Sequence, residues 1–301
     1  MSLLAALLLW PAGLPSGSAS AQDAGRPAGA PVVEAGDEDE PRRLTAWPEP
    51  RDAGALALEV RRLRDARTEE MAREAAAALI GMRDAAAPAL LAALGKERSA
   101  EGRARITAVL DGVTGAPHTR LLAALFADRA LAVRVYSLRR AAAFPDAGVR
   151  AAAEAALGAA REKGEKGDPE ELLAAALCAT TAGSLAGLDV IEARAREDWK
   201  AHGVAIRAAL ESVRGPAAAE RAARGLDGER GLALAALHLL AGCGTSESAG
   251  RVARFLDESD HALRLAAINA LRGIVDGAPP HEKLPVFDAI EEADRWRARL
   301  R

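Results

Sequence analysis

From about residue 52 the chain repeats itself, and this repetition restricts its fold more than any other feature. Apolar residues recur at helical spacing in segments of about 10 to 16 residues, each closed by Gly, Pro or Asp. Arg73–Met82 (REAAAALIGM), Arg105–Val113 (RITAVLDGV), Ile206–Gly215 (IRAALESVRG), Leu232–Gly242 (LALAALHLLAG) and Leu263–Gly273 (LRLAAINALRG) are versions of one Ala/Leu helix with a break at its end. Each precedes a second short helix, such as APALLAALG, HTRLLAALFAD, AAAERAARGL or SAGRVARFLDE. The step is about 30 residues, as from Leu79 to Leu110 and from Leu240 to Leu271. A helix pair of this size cannot bury its apolar face alone, so self-similarity at that period implies units stacked on one another.

Composition agrees with thin layers rather than one large core. Ala is about a quarter of the 301 residues and aromatics are 3%. Ala is the best helix former and lets helices approach closely. Val, Ile and Thr are sparse and seldom alternate as a half-buried strand requires. The fold class expected is all-α: an α-solenoid of six to seven antiparallel helix pairs.

The units also share polar positions. Asp128 precedes Val133-Arg134 and Leu138, Asp260 precedes Leu263-Arg264, and Pro88 follows Ala85–Ala87 at the start of a second helix. Over residues 60 to 278 this pattern resembles the HEAT-repeat family. In that family an Asp opens the unit, an Arg sits early in the first helix, and the two pair along the stack to hold register. The resemblance therefore implies a structural ladder through Asp128, Arg134, Asp260 and Arg264. The pattern departs at Arg73, which lacks a well-placed Asp, in Gly231–Gly242, which lacks the Arg, and at residues 161–169 (REKGEKGDP), which lengthen one connection.

The two ends read differently. Leu3–Trp10 is an apolar run of signal-peptide length, broken by Pro11, Gly13 and Pro15, and Ala19-Ser20-Ala21 fits a cleavage site. Residues 1–21 are read as an export signal, which places the mature chain in the periplasm or outside the cell. Residues 22–50 hold seven acidic and three basic side chains amid Pro, Gly and Ala, so they are read as an acidic linker, with Trp47 the first residue to pack on the folded part. Residues 51–278 form the repeats. Residues 279–301 are read as a capping helix with Phe287, Ile290 and Trp296 on one side.

The five histidines, His118, His202, His238, His261 and His281, include no pair at i, i+4. Cys178 and Cys243 stand two units apart, too far for a disulfide. No Gly-rich phosphate loop, nucleophile elbow or zinc-type Cys spacing occurs. No cofactor or metal site is expected.

Net charge is -3, and the linker's -4 leaves the remainder near +1, unlike a nucleic-acid binder. The second helices carry Arg120, Arg150, Arg194, Arg221, Arg224, Arg251 and Arg254, interleaved with Glu154, Glu192, Glu220 and Glu247. If these helices line the concave face, as in the family, the row is either a mixed solvated surface or a groove for an acidic partner. Two function classes stay open: a monomeric, non-catalytic protein-interaction scaffold, and an enzyme or accessory factor whose site forms only in the fold.

Overall fold

The computed structural model describes residues 44–301. Residues 1–21 of the expected signal and 22–43 of the expected linker lie outside the described residues. Among the described residues there is no strand, and fourteen α-helices follow in order: α1 (Ala53–Asp65), α2 (Glu69–Gly81), α3 (Ala87–Lys96), α4 (Ala100–Val113), α5 (Thr119–Ala123), α6 (Leu131–Ala142), α7 (Arg150–Glu162), α8 (Pro169–Thr181), α9 (Leu188–Glu211), α10 (Pro216–Ala223), α11 (Arg230–Cys243), α12 (Ser246–Ala253), α13 (His261–Leu271) and α14 (Val286–Arg299).

Local sequence accounts for where many of them start. Asp52, Thr68, Ser99, Asp168 and Asp260 sit at N-caps, and their side chains accept from backbone N–H groups of the first turn. Such a bond satisfies a donor that has no partner within the helix, for about 1 kcal/mol. At α8 the cap is followed by Pro169, Glu170 and Glu171, which suit the fixed φ and the positive end of the helix dipole. Helix α9 is two helices in one. Asp198, at φ -151° and ψ 75°, interrupts it, and its Oδ1 accepts from Ala201 N at 3.0 Å, capping the second half.

With that break counted, the first helices of successive units begin at residues 69, 100, 131, 169, 199, 230 and 261. Four of the six steps are 31 residues, one is 30 and one is 38. The long step contains the REKGEKGDP insertion, which makes an extra 3-10 turn at Gly164–Lys166, with Gly164 at a positive φ of 53°. Each first helix packs on the next: α2 on α4, α4 on α6, α6 on α8, α8 on α9, α9 on α11 and α11 on α13. Second helices α3, α5, α7, α10 and α12 pack on the first helix that follows them.

The seam between first helices repeats one buried position, occupied by Leu79, Leu110, Ala141, Ala179, Leu210, Leu240 and Leu271, none more than 2% exposed. Buried apolar residues fall into two clusters. One runs from Leu56 to Tyr136 and the other from Phe126 to Trp296. Helix α6 joins them, giving Val133 and Tyr136 to the first and Leu138 and Ala141 to the second.

The ends refine the sequence reading. Leu44 N donates to Pro117 O at 3.1 Å and Trp47 stacks on His118, so this part of the expected linker lies against the second unit. At the other end, α14 buries Ala289, Ala293 and Trp296, while Phe287 is 81% exposed and Ile290 is also exposed. The expected grouping of Phe287 with Trp296 fails on helical geometry. Nine residues are two and a half turns, which sets the two on opposite sides of the helix.

Candidate functional site

The seven arginines expected to line a binding face do sit on second helices or on the 3-10 turns that extend them. Six engage other protein groups. Arg120 Nε donates to Asp146 Oδ2 at 3.2 Å, Arg150 to Glu154 at 3.1 Å and Arg194 to Glu197 at 2.8 Å. Arg221 donates to Leu185 O at 2.9 Å and stands 3.9 Å from Asp189. Arg251 bonds Glu220 at 3.3 Å and Ala223 O at 2.9 Å, and Arg254 bonds Leu226 O at 2.7 Å and the Asp227 carboxylate. The Arg254 guanidinium beside Asp227 holds that carboxyl below its ordinary range. Arg224 is exposed and has no partner among the described residues. Of the six that are engaged, Arg150 and Arg194 pair within their own helix, and the other four reach groups contributed by a neighbouring unit.

The four expected ladder residues, Asp128, Arg134, Asp260 and Arg264, form no Asp–Arg ion pair with one another. The fourth residue of α4, α6 and α13 is Arg103, Arg134 and Arg264, and each folds back onto carbonyls five or six residues upstream. Arg134 thereby meets Asp128 through its carbonyl at 2.7 Å, while its carboxylate partner is Glu171 of the next unit, at 2.6 and 3.2 Å. Lys163, brought in by the long connection, adds 2.8 Å contacts to both Glu171 oxygens. Burial raises the Glu171 pKa, but the Arg134 and Lys163 hydrogen bonds outweigh it and the carboxyl sits below its ordinary range. Asp260 caps α13 and pairs with Arg230 of the preceding unit, and Arg64 reaches Glu97 in the same fashion at 3.1 Å.

Two clefts open where first helices end. The larger, about 550 Å³, lies at the ends of α8 and α9 beside Pro145–Ala147, with Asp146, Thr181, Gly183 and Glu211 on its walls. The smaller, about 240 Å³, lies between the ends of α9, α11 and α13 and the Gly277–Pro280 loop, with Arg207, Glu211, Arg214 and Gly273 on its walls. Glycine makes this second joint possible. A Cβ on Gly273 would run into Ala241 O, and one on Gly242 would stand 2.8 Å from Leu210 Cβ.

The groups that could do chemistry are buried singly. His118 Nδ1 accepts from Gly115 N at 2.9 Å, and its Nε2 stands 3.5 Å from Asp84. His238 stacks on Trp199 at 4.2 Å, and burial pushes its pKa down to about 4, so it is neutral near pH 7. Gly203 lies under the same Trp199 ring, which leaves no room there for a Cβ. Cys178 and Cys243 are free, and burial pushes both thiols up to about 12, far from the range of a reactive thiolate. Among the described residues no group of three or more His, Cys, Asp or Glu could hold a metal ion, and no single helix is long and apolar enough to cross a membrane. The exposed polar groups here are guanidiniums, carboxylates and backbone carbonyls, most of them bonded to one another. No family model, curated protein or solved structure matches the chain.

Proposed function

We propose that the chain is an exported, monomeric HEAT-type solenoid that binds an acidic protein partner without catalysing a reaction on it. The observation that carries this reading is the ladder of first helices, seven in succession at near-constant steps, each packed on the next. Such a succession of packed helices is what a stack of repeats requires, and such stacks expose extended lateral surfaces for partners. The arginines of the second helices supply the basic character, with Arg224 as the member whose charge no described residue offsets. The run Leu3–Trp10 and the Ala19-Ser20-Ala21 site support export.

The test is crosslinking with mass spectrometry in the native host, comparing the full chain with its Arg221→Glu/Arg251→Glu variant. A partner crosslinked through the second helices is expected to be lost in the variant. An unchanged partner set would show that the second-helix arginines do not hold the partner.

A further inference from the structure

The smaller helix-end cleft contains two guanidiniums with donors left over, Arg207 half-buried and Arg214 exposed. Arg214, just past the end of α9, donates through Nη1 to Gly273 O at 3.0 Å and to Gly244 O at 3.4 Å, carbonyls of the next two units. A guanidinium carries five N–H donors. Those on Nε and Nη2 of Arg214 have no partner among the described residues. The group is therefore anchored by one edge with the other edge unused. Arg207, two turns earlier in α9, is half-buried on the wall of the same cleft and has no hydrogen bond or ion pair among the described residues.

Glu211 lies between them in sequence, at spacings where helix ion pairs normally form. It is exposed and pairs with neither, nor with any other described residue. Two cations and one carboxylate leave the cleft at a formal +1, since the carbonyls that hold Arg214 cancel no charge. Side chains do not fill the space, because the floor is Ala241, Gly273 and Gly277–Ala278, and Gly273 has no room for a Cβ.

We propose that this cleft anchors the acidic partner, taking one carboxylate side chain of an extended segment between Arg207 and the Nε/Nη2 edge of Arg214. Guanidinium and carboxylate match as planar, bidentate groups, and charge-assisted bonds of this kind are about twice as strong as neutral ones. A single negative charge balances the site. A phosphate dianion would exceed it and be repelled by Glu211, which favours a carboxylate over the chemically similar phosphate. The inference rests on the proposed acidic partner but moves its anchor from the second helices to the edge where first helices end.

A rhodamine-labelled hexaglutamate peptide titrated into the full chain, with anisotropy as readout and hexaglutamine as control, tests both levels. Arg207→Gln is expected to weaken hexaglutamate binding about tenfold. Glu211→Gln is expected to strengthen it about threefold, a gain that misfolding cannot imitate. Arg61→Gln, on the exposed face of α1, should leave it unchanged. If binding falls only in Arg221→Gln/Arg251→Gln and is indifferent to Arg207 and Glu211, the cleft is overturned while the acidic-partner reading stands. If hexaglutamate binds no better than hexaglutamine, both fall. Displacement of the peptide by an equal concentration of inorganic phosphate would assign the cleft to free oxyanions and overturn the partner segment.

Discussion

The two apolar clusters follow one plan with different materials. Of the 18 buried residues in the N-terminal cluster only four are alanine, whereas alanine supplies 22 of the 44 in the C-terminal one. The N-terminal units hold together by filling space with Leu, Ile and Val. The C-terminal units hold together by close approach, which small residues permit. At the seam position the contrast is confined to the place where α6 meets α8: Ala141 and Ala179 stand there, whereas Leu110 precedes them and Leu210, Leu240 and Leu271 follow. Between the two regimes lies a polar joint. Tyr136 OH and Thr114 Oγ1 are 2.9 Å apart, and Arg140 donates to Thr114 Oγ1 at 3.1 Å and to Asp111 O at 2.7 Å. Burial raises the Tyr136 pKa, so its hydroxyl stays protonated and able to donate.

The largest effect is expected from emptying the space-filled side. Leu110 is fully buried, and Leu110→Ala should cost about 3 kcal/mol through lost transfer energy and the cavity left behind. The helices around Leu110 make their main contacts with elements close to them in the chain, so hydrogen exchange should accelerate in α2–α6 and stay unchanged in α11–α13. Equal acceleration at both ends would show that the two clusters form one cooperative core, and the contrast would lose its energetic meaning.

The close-packed side should fail in the opposite direction. Ala179→Leu places at α8 the side chain that α4 carries at the same seam position, where the gap to α6 is built for a methyl group. Overpacking there should cost about 2 kcal/mol in chemical denaturation. A neutral outcome would mean that alanine serves only helix propensity at this seam. The joint itself should be softer: Tyr136→Phe removes one hydroxyl and leaves Thr114 with Arg140 and with Leu110 O, for a loss of about 1 kcal/mol.

This contrast was only half legible in the sequence. The 31-residue step could be read from Leu79 and Leu110, because a fully buried position recurs wherever a unit recurs. The joint at Asp198 could not, since apolar periodicity continues on both sides and neither Gly nor Pro marks the break. The arginines could be placed on second helices, but not their partners. Asp146, Asp189 and Asp227 lie about one unit from the arginines they meet, a separation at which sequence neighbours give no signal. Arg207 and Arg214 carry no signal of their own in the sequence. Their cleft exists because Gly242 and Gly273 let three helix ends converge, and convergence is a tertiary fact.

The smallest expected effect sharpens the comparison through pH. In the N-terminal region Glu97 accepts from Ser99 N at 2.9 Å and from Arg64 at 3.1 Å, and these two bonds lead in holding its pKa down to about 2. In the unfolded chain the group titrates at its ordinary value of about 4.3. The folded state thus prefers the carboxylate, so its contribution is complete above about pH 4.3 and is lost as pH falls toward 2. Solvent around Arg64 weakens the pair, and about 1 kcal/mol is a fair expectation for Glu97→Gln at pH 7. The gap between wild type and variant should then close as pH falls from about 4.3 to about 2, because protonated Glu97 is nearly the glutamine it is compared with. Exchange rates should report the loss in α1–α4 and not in α11–α13, where Glu97 has no contact. A gap that persists undiminished at pH 2 would mean that Glu97 acts through packing and not through its charge.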